Sequence, residues 1–327
     1  MVNPLKDPKR VCLILAADST SKLNDFPQCA DLIVTSPPYA DARRNHYDSI
    51  HPGKYDEWFV QFHEAFWNSL KEDGSLVINI KDKVLNGVRH RYVWRTIDRL
   101  VGLGWNCIED YIWQKPNPMP GYWPTRLRDG WEYCFHLAKS KRPYMNQDAV
   151  RIPIGKWAKT RLENLGEGDK KRHNSENDSG FGRDLSRWVG KDMVLPSNVL
   201  TFSPVTKNKG HPAAFPVDLP VFFIKMLSRP GGLVIDPFAG SGTTAIAALS
   251  SQRDCVLIDN NPEYCQVAYD RVLKEAKASH YDVCFDSRVA NFSEKKSKDQ
   301  PEQFVLSINQ THAAYEVPKK LSQDSPR

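Results

Sequence analysis

A loop in the carboxyl-terminal third of the chain has the features of a binding site for a nucleoside-containing ligand. An acid at the end of a predicted strand is followed by two glycines and then by the first residues of a predicted helix. Residues Asp236–Thr244 have the sequence Asp-Pro-Phe-Ala-Gly-Ser-Gly-Thr-Thr and begin at the end of a predicted strand. Gly240 and Gly242 permit a tight turn and a close approach of the backbone to a ligand, and the helix that follows offers unpaired N–H groups to an anion. Asp259, nineteen residues after Gly240, ends the next predicted strand, where a carboxylate can accept hydrogen bonds from ribose hydroxyls.

Two classes of cofactor are compatible with this loop. In an NAD-dependent oxidoreductase, the pyrophosphate would approach the strand tip, where the Asp236 carboxylate is unfavourable. The same carboxylate suits the amino group of S-adenosylmethionine, whose own carboxylate can still use the helix N-terminus. A phosphate-binding P-loop is excluded because no lysine follows the second glycine. We expect S-adenosylmethionine, with S-adenosylhomocysteine as the product, and keep the oxidoreductase as the alternative.

A second motif, Ser36-Pro37-Pro38-Tyr39, follows a predicted strand near the amino terminus. Two consecutive prolines fix the backbone and remove two N–H donors, which leaves a rigid turn with exposed carbonyl oxygens. Ser36 Oγ and the Pro37 carbonyl can accept the two hydrogens of an exocyclic amine, so that the nitrogen lone pair points towards an electrophile. The Tyr39 ring offers a surface on which a base can stack after it is flipped out of a duplex. We expect these four residues to be catalytic.

The two motifs in this order resemble those of the β-order amino-methylating DNA methyltransferases, in which the catalytic motif precedes the donor-binding motif. The resemblance covers about residues 11–273. It implies that Asp18 faces the adenine of the donor and that Asp259 binds its ribose, while the segment His211–Pro216, with Phe215, lies beside its methionine end. The donor loop implied by the resemblance comprises Asp236, Pro237, Phe238, Gly240, Ser241, Gly242 and Thr243.

We expect direct transfer of the methyl group, without a covalent enzyme intermediate, with catalysis from positioning and the rigid acceptors of the turn. The chain has no Pro-Cys dipeptide at a strand-end turn, so the thiolate route of ring-carbon methylation lacks its nucleophile. Within the family, Ser before Pro-Pro is typical of cytosine-N4 enzymes, whereas Asp or Asn is typical of adenine-N6 enzymes. We expect methylation of cytosine N4, with adenine N6 as the alternative. A third possibility is a DNA-binding protein of the same fold without turnover, which the intact motifs disfavour.

Several basic positions indicate a double-stranded DNA partner. Residues 111–117 and 131–133 resemble the stretch that lines the target-base side, and the neighbouring Lys115, Arg126 and Arg128 are candidate phosphate contacts. Residues 141–195 are polar and irregular, with 12 Lys and Arg against 8 Asp and Glu, and fall where the family carries its target-recognition region. A cognate restriction endonuclease is a further expected partner, and the choice between monomer and homodimer stays open.

The elements that must position these motifs are predicted from periodicity. Runs rich in Val, Ile and Leu predict strands at 11–18, 30–36, 75–80, 107–113, 132–138, 233–236 and 255–259. Amphipathic spacing predicts helices at 56–70, 217–227 and 262–274. Their alternation predicts an α/β fold with a doubly wound, mostly parallel sheet, Rossmann-like as in S-adenosylmethionine-dependent methyltransferases but with permuted motif order. We expect a catalytic half at 1–140, a target-recognition region at 141–195, a donor-binding half at 196–286 and a polar tail at 287–327.

Composition limits the class of protein but does not identify it. The 327 residues include 45 Lys and Arg and 39 Asp and Glu, a net charge of +6 that weakly favours a polyanionic partner. The spacing of seven cysteines and nine histidines predicts no metal site. No apolar run approaches the roughly 20 residues that span a bilayer. We therefore expect a cytoplasmic protein without a bound metal and without a membrane partner.

Overall fold

The computed structural model describes residues 10–41, 50–118, 120–165, 188–205, 215–276 and 281–286. In chain order its strands are β1 (Arg10–Ala16), β2 (Ala30–Thr35), β3 (Leu70–Ile80), β4 (Lys83–Leu85), β5 (Val88–His90), β6 (Asn106–Gln114), β7 (Trp131–Ala138), β8 (Ile152–Pro153), β9 (Met193–Val194), β10 (Val199–Thr201), β11 (Leu233–Asp236), β12 (Asp254–Asp259) and β13 (Tyr281–Asp286). Its α-helices are α1 (Ser19–Lys22), α2 (Tyr55–Phe59), α3 (His63–Ser69), α4 (Tyr92–Gly102), α5 (Lys156–Glu163), α6 (Asp218–Leu227), α7 (Thr243–Ser250) and α8 (Pro262–Ala276).

Nine of these strands form one sheet in the order β10-β6-β7-β3-β2-β11-β12-β1-β13. Every neighbouring pair is parallel except the two pairs that contain β7. Each residue of β2, β11 and β12 is buried, so both faces of the central sheet are covered. The predicted α/β fold with a doubly wound, mostly parallel sheet is confirmed.

This topology brings the carboxyl ends of several strands to one edge of the sheet, which we call the carboxyl edge. The carboxyl ends of the parallel strands β1, β2, β3, β6, β11 and β12 lie there, together with the amino end of the antiparallel β7. In open α/β sheets ligands bind outside the carboxyl ends of the strands. The two motifs singled out in the sequence both begin at this edge, after β2 and after β11.

One predicted helix differs from the structure. The expected helix at 56–70 is divided into α2 and α3 by a 3₁₀ turn at Val60–Phe62, and Leu70 already belongs to β3. The spacing of the apolar residues does not reveal this break, because Phe59, Phe62 and Phe66 still pack against one another through their rings. Strand β13 was not predicted, nor were the short elements α1, α5, β4, β5, β8, β9 and β10.

The chain forms two compact units. The first contains the nine-stranded sheet and comprises the described residues up to Asn146 and from Asn198 onward. The second, Gln147–Ser197, contains α5 and a two-stranded antiparallel sheet of β8 and β9, and its residues 166–187 lie outside the described part. None of the described helices has the length and apolar character needed to cross a bilayer.

Candidate active site

The two predicted motifs meet at the carboxyl edge of the sheet. Strands β2 and β11 are hydrogen-bonded neighbours, so the turn after Thr35 and the loop after Asp236 start side by side. A direct bond joins them, because Thr35 Oγ1 donates to Asp236 Oδ1 at 2.6 Å. The turn that we expect to hold the amine is therefore fixed to the loop that we expect to hold the donor, across 201 residues of sequence.

Asp236 lies inside this junction and is almost completely buried. Besides Thr35, its carboxylate accepts hydrogen bonds from the Phe238 backbone N–H at 3.1 Å and from the Thr244 hydroxyl. Burial raises the pKa of Asp236 to about 6, although these three donors act in the opposite direction. In the structure the carboxylate holds the donor loop against β2.

This buried acid gives a testable dependence of stability on pH. The folded-state pKa of Asp236 lies near 6 and its ordinary value is 3.8, so the folded state holds the proton more tightly than the unfolded state. The stabilisation from the protonated acid is complete below about pH 4 and is lost as the pH rises through 6. We expect the unfolding free energy of the wild type, relative to Asp236→Asn, to fall by about 2–3 kcal/mol between pH 4 and pH 7.

Urea unfolding of both proteins over that pH range measures the difference directly, and other titrating groups cancel in the comparison. Parallel pH profiles for the two proteins would contradict the assignment of the raised pKa to Asp236.

The glycine loop has the backbone conformation that the sequence predicts. Gly240 and Gly242 both have positive φ, at 50° and 78°. A Cβ on Gly242 would lie 2.9 Å from the Cβ of Ala268, so only glycine fits between the loop and α8. Gly240 N–H donates to Asp259 Oδ2 at 2.8 Å. The loop is thus tied to the acid at the end of β12.

Asp259 is buried, and its second carboxylate oxygen accepts a hydrogen bond from the Asn261 N–H at 2.9 Å. Burial raises the pKa of Asp259, against the effect of its two backbone donors. Each oxygen retains lone-pair capacity beyond its backbone bond. The acid therefore has a fixed orientation at the edge of the sheet, which is what a ribose ligand requires.

An arginine that sequence reasoning missed supports the same loop. Arg271, on α8, donates to the Ser241 carbonyl at 3.2 Å, to Ser241 Oγ at 3.3 Å and to Thr243 Oγ1 at 3.0 Å. Burial lowers its pKa. The available signal was helical spacing, since position 271 is three residues after the buried Ala268 that packs on Gly242.

Asp18 lies beside the donor loop but is exposed. It caps α1 by accepting from the backbone N–H groups of Thr20 and Ser21, and the Thr20 hydroxyl also donates to it. The preceding Ala17 N–H bonds to the Asp259 carbonyl at 3.0 Å, and the following Ser19 hydroxyl donates to the Pro237 carbonyl at 2.5 Å. The segment that carries Asp18 is thereby hydrogen-bonded to Asp259 and to Pro237, the residue after Asp236.

The two aromatic residues predicted for the donor site differ in what surrounds them. Phe238 packs against Trp58 and Phe62, with ring centroids 5.9 and 4.9 Å away. Phe215 is buried, but residues 211–214 of the same predicted segment lie outside the described part of the chain.

Tyr39 is the centre of a hydrogen-bond network on the other side of the junction. Its hydroxyl lies 2.6 Å from Glu132 Oε2, to which it donates, and 3.3 Å from Asn79 Oδ1. It accepts from Ser36 Oγ at 3.4 Å. Burial, followed by the neighbouring Glu132 carboxylate, raises the pKa of Tyr39 well above its ordinary value. The phenol therefore stays protonated and acts as a donor, not as a base.

Glu132 connects this network to Lys115. The Lys115 ammonium donates to Glu132 Oε1 at 2.5 Å and lies 4.5 Å from the centre of the Trp113 ring. Lys115, predicted as a phosphate contact, is thus held in an ion pair with a buried carboxylate. Sequence reasoning gave Glu132 no role of its own, although an acid within an apolar strand already signals a buried charge that needs a partner.

The other two predicted DNA contacts lie in the loop between β6 and β7. Arg126 pairs with Asp129 at 3.3 Å and lies over the Trp123 ring at 4.4 Å. Arg128 is exposed and donates to the Pro118 carbonyl at 3.3 Å. In the described part of the chain, no group of three or more His, Cys, Asp or Glu side chains is arranged to hold a metal ion.

Comparison of the sequence with known proteins assigns the chain to a family. The profile of the N6/N4 methylase family, described as DNA methylase, matches residues 30–270, about three quarters of the chain. The chain belongs to this DNA methylase family. It is an amino-group DNA methyltransferase, as the resemblance predicted.

Individual members of the DNA methylase family align over most of the chain. The Type II methyltransferase M.PvuII from Proteus hauseri is 30% identical over 280 residues, which cover 78% of this chain and 82% of that enzyme. A solved structure named PvuII DNA methyltransferase (cytosine-N4-specific) has a TM-score of 0.60 at 23% identity and covers 94% of this chain and 97% of its own. The structure of the M1.HpyAVI–SAM complex has a TM-score of 0.53 at 20% identity over 80% and 98% of the two chains. These likenesses to solved structures confirm the methyltransferase fold.

Proposed function

We propose that this chain transfers the methyl group of S-adenosylmethionine to the exocyclic N4 amine of a cytosine flipped out of double-stranded DNA. The observation that carries the proposal is the 2.6 Å bond between Thr35 and Asp236, which joins the start of the Ser36–Tyr39 turn to the start of the Asp236–Thr244 loop. The serine before the two prolines supports cytosine as the target. A relative with the same fold is named as cytosine-N4-specific, which supports the same choice.

The donor side of the junction fits S-adenosylmethionine. This cofactor supplies an electrophilic methyl group on a positively charged sulfur. The loop of Pro237, Phe238, Gly240, Ser241 and Gly242 would hold it, with the start of α7 near Thr243 offering N–H groups to its carboxylate. The loop keeps its close packing on α8 only with glycine at position 242, since a Cβ there would lie 2.9 Å from the Cβ of Ala268, and this fixed backbone supports the loop as the donor site. Asp18 and Asp259 would bind the adenosine, and Phe215 would pack at the methionine end.

On the acceptor side, the turn positions the amine. Ser36 Oγ and the Pro37 carbonyl would accept the two N–H hydrogens of the base, while the Tyr39 ring stacks on it. The Tyr55 hydroxyl donates to the Pro38 carbonyl at 2.8 Å, which fixes the turn from behind. Catalysis then depends on orientation and on preformed acceptors, which can supply several orders of magnitude in rate.

The transfer itself needs no strong base. The amine nitrogen forms its bond to the methyl carbon as the carbon–sulfur bond breaks, and the nitrogen then gives up one proton. Ser36 Oγ takes this proton and passes its own hydroxyl proton to Tyr39, to which it donates at 3.4 Å. Tyr39 passes its proton in turn to the Glu132 carboxylate, so the phenol is protonated both before and after the step.

DNA binding completes the proposal. Lys115, Arg126, Arg128 and the target-recognition region predicted at 141–195 would contact the duplex, and such phosphate contacts weaken as salt rises. The relative from Proteus hauseri is named a Type II methyltransferase, which supports a cognate restriction endonuclease as a functional partner. Adenine N6 is the alternative target within the same fold.

Titration of the purified chain with S-adenosylmethionine and, separately, with NAD tests the donor assignment. We expect saturable binding of S-adenosylmethionine and transfer of its labelled methyl group to unmethylated duplex DNA. Binding of NAD without methyl transfer would contradict the proposal.

A further inference from the structure

Two neighbouring loops at the carboxyl edge carry the most exposed apolar side chains of the first unit. One is the β4–β5 hairpin, and the other is the β6–β7 loop, residues 115–130, of which residue 119 lies outside the described part. Among the described large hydrophobic residues of that unit, Leu127, Tyr122 and Val88 are the most exposed, at 90%, 88% and 71%. Exposed apolar side chains that are rimmed by polar and charged groups are typical of an interaction site.

The two loops are joined by a shared acid. Asp129 pairs with Lys81 at 3.3 Å, with Arg89 at 2.8 Å and with Arg126 at 3.3 Å. Three cations around one carboxylate leave an excess of positive charge, to which Arg128 adds. The tip residue Leu127 is flanked in sequence by Arg126 and Arg128.

The base of the β6–β7 loop is fixed to the catalytic turn. The Lys115 N–H bonds to the Gly130 carbonyl at 2.7 Å and closes the loop. Lys115 also pairs with Glu132, and Glu132 accepts from the Tyr39 hydroxyl at 2.6 Å. The loop is therefore anchored through one ion pair and one hydrogen bond to the ring on which the target base would stack.

We propose that Leu127 is a wedge that enters the base stack of the duplex and fills the space left by the flipped base. The inference rests on the proposed function, since a wedge has a use only if a base leaves the helix. Apolar side chains inserted between base steps stabilise unstacked DNA, and extrusion of a paired base otherwise costs a few kcal/mol. Arg126 and Arg128 bind the phosphates on either side and set the depth of insertion.

The charge of the two loops favours DNA over a second copy of this chain. A self-interface would bring the Lys81, Arg89 and Arg128 cations of two copies together, and like charges oppose such contact. Phosphates complement the same charges.

The test uses duplexes that contain the recognition sequence, once sequencing of methylated DNA has identified it. One duplex has the target base paired, and the other has an abasic site opposite the target, so that the base no longer has to be unpaired. The variants are Leu127→Ala and a matched control, Leu103→Ala. Leu103 is 46% exposed and follows α4, at the opposite end of β6.

On the paired duplex, we expect Leu127→Ala to lower kcat/KM by about tenfold, with affinity for S-adenosylmethionine unchanged. On the abasic duplex, we expect its kcat/KM to return to within about twofold of the wild-type value. Leu103→Ala should match the wild type on both duplexes.

Three results would overturn the wedge. They are wild-type activity of Leu127→Ala on the paired duplex, an equal loss on both duplexes, and conversion of a dimer to a monomer by the substitution in light scattering. Failure of the proposed function is distinguishable, because DNA treated with the wild type would then carry no methylated base when it is sequenced, before any variant is compared.

Discussion

Replacement of Tyr39 by alanine is expected to lower kcat about 100-fold while the affinity for S-adenosylmethionine stays within about twofold. The ring is the surface on which the flipped base would stack, and stacking on one aromatic side chain is worth about 1–3 kcal/mol per base. Loss of stacking lowers the affinity for the flipped base. The loss in kcat arises because the amine is free to move away from Ser36 Oγ, and small misplacement of a reacting group can cost a factor of about 100. Donor affinity is preserved because Tyr39 is absent from the loop that follows β11.

Tyr39→Phe is the matched control, because it keeps the ring and removes only the hydroxyl. That hydroxyl is bonded to Glu132 and lies near Asn79, so the control tests how far the network orients the ring. We expect a loss in kcat of about tenfold or less, which corresponds to about one hydrogen bond. If Tyr39→Ala retains wild-type kcat in a folded protein, judged by its thermal midpoint, the proposed acceptor site is wrong.

Replacement of Gly242 by alanine is expected to weaken S-adenosylmethionine binding at least tenfold while affinity for duplex DNA is unchanged. The new Cβ would lie 2.9 Å from the Cβ and 3.2 Å from the Cα of Ala268. The backbone of α8 cannot move aside without disturbing Arg271, which bonds to Ser241 and Thr243. The loop must therefore shift, and the donor cradle shifts with it.

Gly87→Ala separates crowding from backbone strain. Gly87 has φ of +80°, close to the +78° of Gly242, but its nearest neighbour for a new Cβ is the Thr125 hydroxyl at 4.0 Å. Both variants carry the same cost of a positive φ, about 1 kcal/mol. Isothermal titration should show a loss of donor affinity only for Gly242→Ala. Equal affinity for the donor in the two variants would show that this loop does not bind it.

The sequence predicts where the site lies better than how its side chains pair. The strand ends at Thr35, Asp236 and Asp259 were predicted from apolar runs, and parallel pairing necessarily brings such ends to one edge. The pairing of Thr35 with Asp236 could not be predicted, because it depends on the register between β2 and β11. Asp236, which we expect to face the donor, also joins β11 to the end of β2.

The role of Glu132 illustrates a second limit. It lies 93 residues from Tyr39, and the two meet only because β7 runs antiparallel between β3 and β6 and brings its first residues to the carboxyl edge. Periodicity within a strand does not reveal its direction in the sheet. The break between α2 and α3 could not be predicted from periodicity either. The 3₁₀ turn at Val60–Phe62 keeps the phenylalanine side chains in contact, so the apolar spacing continues across the break.

The identity of the methylated base tests the central claim most directly. Duplex DNA methylated by the purified chain can be digested to nucleosides and the product separated and identified by mass. The account predicts N4-methylcytosine, formed in the presence of S-adenosylmethionine and absent from a Tyr39→Ala reaction of the same duration. Appearance of N6-methyladenine in its place, or of a cytosine methylated on ring carbon, would contradict it.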